Sequence, residues 1–432
     1  MKQLWYFLFL FICLAFSSNT RAMSIIRDTE TEELLLGYVR RIFKAAGLDP
    51  ENADVVIVND PTINAFVAGA QTIFVHTGLI LKAKVPDELV FVLSHETGHI
   101  VGGHIVRGYQ AMQDAQTTAL VSTVLGGVLA VVGGRPDAGI AVMMGGQTSA
   151  MGLFTKYRQT EESSADRTAV DILNKTGYSM LGFEGIMKSI KSDERLNSGV
   201  DNGYLRTHPI TQTRINEMER FLKNAEAVKK EEKFDLVKAK LSGFLLEPER
   251  VFINYSGNSV FDRYAQSIAF YRQHKYKEAF EKIDSLITEQ PENPYFYELK
   301  GQIYFEIGNP SLSEEFYKKA HELKQDSSLI RLSYAQVLLE QENKNKAVTA
   351  EKLLEFVVQQ EPNSPFGWQL LAKAYDRQGK KNEAEYAITE YYLTSGKTEQ
   401  AKQRAKKISE YFSDNPVLQQ RLNDIIDIGA EK

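Results

Sequence analysis

The stretch Leu93-Ser-His-Glu-Thr-Gly-His-Ile-Val-Gly-Gly-His104 constrains the fold of this chain more than any other. His95 and His99 stand four positions apart with Glu96 beside the first. On a helix, positions i and i+4 share one face. Two imidazoles so placed can hold one Zn²⁺, and the intervening glutamate can serve as base for a metal-bound water. The lead-in, Glu88-Leu-Val-Phe-Val-Leu93, is apolar and helix-forming, which predicts a buried helix. The competing reading is a surface helix with two incidental histidines. Histidine is scarce, 7 in 432, so a chance H-E-x-x-H match is expected in only about one such chain in a hundred.

A catalytic zinc needs a third protein ligand and an open position. Two candidates follow the motif. His104 lies five residues beyond His99, about 140° around a continuous helix, so it points away from the ion; packing or support of a ligand is its expected role. The elongated motif that breaks the helix at a glycine places its third histidine one residue later, and here that place is Ile105. Glu162 opens the next helical stretch, from Thr160, and Asp166 one turn on could take the free N–H of a ligating histidine. Glu161 competes with Glu162; the spacing to Asp166 favours Glu162.

Hydrophobic residues make up 43% of the chain and charged residues 25%, an ordinary globular balance with room for two or three domains. A net charge of −5 gives no basic footprint for nucleic acid, and none is expected as a partner. Residues 1–22 read as a cleavable signal peptide: Lys2, a short apolar run to Phe16, then small and polar residues. An uncleaved anchor is the alternative. Cys13 is the single cysteine, and Phe11 and Ile12 before it are too bulky for a lipoprotein site, so cleavage would leave no thiol.

Short strand signals at Val55-Val-Ile-Val58, at 63–68 and at 72–77 predict a small antiparallel sheet just before the metal helix. Residues 72–76 are the expected edge that takes a substrate peptide by strand addition, with His76 structural or substrate-facing. After His104 the helix is expected to run on to Arg107-Gly108. Residues 117–154 are almost wholly apolar and glycine-rich, but each run is too short to span a bilayer. They read as a buried helix pair, or as a hairpin over residues 117–152 that covers the site or makes peripheral membrane contact. From about 258 the texture becomes helix pairs repeating near 34 residues, with Gly301, Ala335 and Ala372 as the recurring small residue. That is the tetratricopeptide period. The expected division is therefore a signal peptide at 1–22, a zinc protease domain at 23–257, and repeats at 258–432. The fold class is an α+β zincin-like domain, mostly helical, followed by an all-α repeat domain.

HETGH followed by Glu162-x-x-Ala165-Asp166 resembles the gluzincin peptidases related to the CAAX prenyl protease and the heat-shock protease HtpX. Ile63-Asn-Ala-Phe and Gly78-Leu-Ile resemble that family's strand segment, and His208-Pro209 with Arg214 resembles its H-P-x-x-x-x-R element. The family often has an arginine three before the ligand glutamate; here that place is Gln159, with Arg158 one earlier. With a signal peptide and C-terminal repeats, the whole chain resembles the periplasmic beta-barrel assembly-enhancing protease group. The resemblance implies one zinc per chain on His95, His99 and Glu162, and Glu96 as catalytic base. It implies that His208 approaches the metal, as a removable fourth ligand or as a group steadying the oxyanion. It implies a periplasmic endopeptidase acting on misfolded or stalled outer-membrane proteins, with the barrel-assembly machinery as partner through the repeats. The alternative is a chaperone or scaffold whose protease is normally repressed.

Overall fold

A computed structural model describes residues 24–69, 71–104, 107, 108, 113, 116, 144, 158–196, 204, 208–222 and 230–429. The expectations for the signal peptide and nearly all of 117–152 lie outside these residues. Among the described residues no helix is long and apolar enough to cross a membrane.

The chain forms two compact units by contact: residues up to Ile26 with Leu35–Glu231, and Arg27–Leu34 with Glu232–Lys432. This division falls at Glu231/Glu232, ahead of the 257/258 boundary expected from residue texture. Its cause is local. Leu236, Ala239 and Val251 share one core with Tyr264, Ala265 and Ile268.

In the first unit, β1 (Ile25–Ile26), β2 (Asp54–Val58), β3 (Ala65–Ala68) and β4 (Thr72–His76) form one sheet in the order β1-β2-β4-β3. β4 runs parallel to β2 and antiparallel to β3. The sheet is thus mixed rather than antiparallel throughout. Residues 72–76 also lie inside it, so β3 is the edge beside them. Strand order is a long-range property, and the alternating apolar residues of β4 (Ile73 and Val75, both fully buried) fit an inner strand as well as an edge. Helix α1 (Thr29–Ala46), which belongs to this unit from Leu35 onward, buries Leu35, Val39, Ile42 and Phe43 completely, a helical i, i+4, i+7, i+8 stripe.

After the short α2 (Thr77–Lys82) comes α3 (Pro86–Gly102). Leu89 to Leu93 are buried all round, so α3 is a core helix, as its apolar lead-in predicts. Pro86 opens it, and it stops at Gly103, whose φ of 62° is left-handed and glycine-favoured. The helix therefore does not run unbroken to Gly108. A helix over residues 158–176, α4, follows. Then come α5 (Leu181–Leu196), packed on α3, and α6 (Gln212–Leu222).

In the second unit, α7 (Glu232–Leu245) and α8 (Pro248–Asn254) precede five helical hairpins. These are α9/α10 (Val260–Arg272, Tyr276–Glu289), α11/α12 (Pro294–Glu306, Pro310–Leu323), α13/α14 (Ser328–Leu339, Lys344–Gln360), α15/α16 (Pro365–Gln378, Lys381–Thr394) and α17/α18 (Thr398–Ile408, Pro416–Asp427). Their leading helices start about 34 residues apart, the tetratricopeptide period. Ser259, Asn293, Ser327 and Ser364 cap the first four, satisfying backbone N–H groups that a helix start leaves open. Gly301 lies where a Cβ would meet the Tyr317 ring at 2.8 Å, so the small residue of the repeat permits close pairing.

The Arg27–Leu34 segment supplies this unit with carboxylates. Lys240 Nζ lies 2.5 Å from Asp28, 3.5 Å from Glu30 and 3.7 Å from Glu298, and Tyr264 donates to Glu30 at 2.9 Å. Three acids surround one ammonium, and burial pushes Glu30 and Glu298 each up to about 7 despite Lys240. A carboxyl raised in the folded state stabilises it fully below its unfolded pKa of 4.5 and loses that contribution as pH rises through the folded value. The second unit should therefore melt at lower temperature at pH 8 than at pH 5.5. Glu298→Gln, which mimics the protonated acid, should flatten that slope in a thermal melt.

Candidate metal centre

Helices α3 and α4 approach closely because both are small where they touch. A Cβ on Gly98 would lie 2.8 Å from both Cα and O of Ala165, and Ala165 is fully buried. The glycine inside HETGH and the alanine of E-x-x-A-D are thus a contact pair that brings Glu162 to the two histidines. Replacing Gly98 by Ala gains up to about 1 kcal/mol in helix propensity, but it drives a methyl into backbone, and overpacking of this kind costs about 1–3 kcal/mol. Gly98→Ala should therefore lower both melting temperature and metal content, measured on the same preparation.

His95, His99, Glu162 and His208 each offer one atom within 4.8 Å of the others, the one such group among the described residues. The separations are specific. His95 Nε2 lies 3.2 Å from His99 Nε2, 3.3 Å from Glu162 Oε2 and 3.3 Å from His208 Nδ1. Glu162 Oε1 lies 3.4 Å from His99 Nε2 and 3.1 Å from His208 Nδ1. Donors at about 2.0–2.1 Å from a tetrahedral zinc are about 3.3–3.4 Å apart, so the donor set fits that ion. His208 takes the fourth corner, with its Nε2 3.2 Å from Glu96 Oε1.

The surroundings orient these groups. Asp166 Oδ1 accepts from His95 Nδ1 at 2.9 Å. Arg214 on α6 donates through Nε and Nη2 to Asp166, and its Nη1 lies 2.9 Å from Glu162 Oε2 and donates to the Pro209 carbonyl. Burial opposes a charge on His95, yet Asp166 and Glu162 together hold it up to about 10. Burial and the His95 charge bring His99 down to about 2. Asp166, though buried, is held at about 2 by Arg214 and His95. Burial raises Glu96, which is 1% exposed.

Of the residues singled out in the sequence, His95, His99, Glu162 and His208 converge, with Glu96 against His208. Glu161 is not among the donors. His76 bonds Thr62 at 2.9 Å and lies outside the group. His104 lies outside it too, but its Nδ1 meets His99 Nδ1 at 2.9 Å. Sequence reasoning gave Arg214 no role of its own; its place six residues after His208 was the available signal. Tyr204, whose ring lies 4.9 Å from that of His208, carried no signal.

The model of peptidase family M48 matches residues 30–222. The chain is 25% identical to the beta-barrel assembly-enhancing protease of Yersinia pestis over 80% of its own length and 72% of that protein's. It is 24% identical to the protease of the same name from Escherichia coli K12, again over 80% and 72%. Among solved structures, YrrB, described as a TPR protein with an unusual peptide-binding site, aligns at 17% identity and a TM-score of 0.33, covering 40% of this chain and 91% of its own.

Proposed function

Because the chain carries a peptidase family M48 domain over residues 30–222, we propose that this metalloprotease is a zinc-dependent endopeptidase of the bacterial periplasm. It acts on misfolded or stalled outer-membrane proteins and supports their assembly, with its repeats docking client or assembly machinery. The reading rests on the donor separations of 3.1–3.4 Å among His95, His99, Glu162 and His208. The family match and the assembly-enhancing relatives support it.

His95, His99 and Glu162 would hold one zinc. Bound there, zinc lowers the pKa of a water to about 7 and polarises the scissile carbonyl. The protein supplies the rest. Glu96, buried and raised in pKa, takes the proton of the attacking water and passes it to the leaving amine. The substrate lies extended along β3, the sheet edge that packs against α3, and pairs with it by backbone hydrogen bonds. His208 has two uses. Seated at the fourth corner it keeps water out; displaced, it donates to the developing oxyanion. That seat also favours a protease silent at rest, with chaperone-like binding by the repeats as its background activity.

Chelation tests the reading. A strong zinc chelator should abolish hydrolysis of an unfolded outer-membrane barrel protein, and about one equivalent of Zn²⁺ per chain should restore it. Hydrolysis indifferent to the chelator refutes the proposal.

A further inference from the structure

We propose that His104 is the positioning residue of the metal centre, fixing the tautomer and ring orientation of His99. This rests on the zinc reading above and adds a residue outside the donor set. His99 turns Nε2 toward His95 and Glu162, at 3.2 and 3.4 Å, which leaves Nδ1 as the other ring nitrogen. A neutral imidazole that ligates through Nε2 must carry its proton on Nδ1. That N–H points at His104 Nδ1, 2.9 Å away, with the two rings edge to face at 77°. His104 is 4% exposed, so His99 gives its proton to a protein acceptor rather than to water. His104 must then be neutral with its own proton on Nε2.

Two glycines build this contact. Gly103 adopts a φ of 62° and ends α3, with its N–H bonding back to the His99 and Ile100 carbonyls. The chain therefore leaves the helix before His104, and the 140° offset of an unbroken helix does not apply. Gly102 makes room for the ring: a Cβ there would sit 2.2 Å from His104 Nε2. The sequence Gly102-Gly103-His104 is thus a hook that folds an imidazole back onto the second metal-holding histidine. The two histidines of the motif are supported differently. His95 leans on the Asp166 carboxylate, itself bonded by Arg214, whereas His99 leans on a neutral acceptor.

The test pairs His104→Asn with His104→Gln. Both are neutral amides of similar polarity. The Asn oxygen reaches the place of the lost Nδ1, whereas the Gln amide reaches the place of Nε2. Zinc affinity is measured by competition with a chromogenic chelator, alongside wild type and the thermal melt of each metal-free protein. His104→Gln should weaken zinc by about 10–100-fold, the usual effect of losing a group that orients a ligand. His104→Asn should stay within about threefold of wild type, with metal-free melts matched. A Gln variant as tight as wild type, or an Asn variant as weak as Gln, overturns the proposal while wild type still binds zinc. A wild type that takes up no zinc overturns the metal reading and this inference with it.

Discussion

Glu96→Gln should cut hydrolysis of an unfolded client by about 10²–10⁴-fold, the range for a lost general base, and leave bound zinc unchanged. The second half of that expectation follows from geometry. Glu96 is not one of the four converging donors; its Oε1 faces His208 Nε2 at 3.2 Å. The amide keeps shape and burial but cannot accept a proton. Turnover of an unfolded protein, with metal content measured on the same sample, checks both parts. The variant also separates protease from scaffold in a cell. If Glu96→Gln corrects an assembly defect as well as wild type does, binding by the repeats is the main activity.

The other large effect belongs to Glu162. Glu162→Ala should strip the metal, because its two oxygens lie within 3.4 Å of a nitrogen of each of His95, His99 and His208. Losing a ligand must cost more than the about 10–100-fold lost with a supporting group. Glu161→Ala should bind zinc as wild type does. A second loss is built into Glu162→Ala. Arg214 Nη1 sits 2.9 Å from that carboxylate, so removal takes one of two carboxylates from a buried guanidinium and leaves this nitrogen with the Pro209 carbonyl, which is costly in itself. Metal content by mass spectrometry and a melt of the metal-free variant separate the two effects. If Glu161→Ala loses metal and Glu162→Ala keeps it, the assignment is reversed.

What could be read from the sequence was local or periodic. HETGH needs one turn of helix to bring two imidazoles together, so its geometry follows from spacing alone. The repeats announce themselves through a fixed period and recurring small residues such as Gly301 and Ala335. The approach of Glu162 to the two histidines follows the spacing to Asp166, one turn later on the same helix, which bonds His95. What escaped reading depends on placement far along the chain or on a single dihedral angle. Which strand lies at the edge is decided by how β2, β3 and β4 pair, and their composition is alike. The direction of His104 is decided by the φ of Gly103. Arg214 bridges Asp166 and Glu162 only once α6 is packed beside α4. No pattern in residues 27–34 tells that they join the second unit.

That last feature bears on how the molecule can be divided. A fragment starting at Glu232 would keep every repeat helix yet lose Asp28 and Glu30, leaving Glu298, at 3.7 Å, as the remaining one of the three carboxylates around the Lys240 ammonium. The hydroxyls of Tyr264 and Tyr295, which donate to Glu30 and Glu33, would lose those acceptors. The repeats are therefore not a detachable module in the sense their regular period suggests: eight residues from the far end of the polypeptide are part of their interior chemistry, and excision would expose that debt.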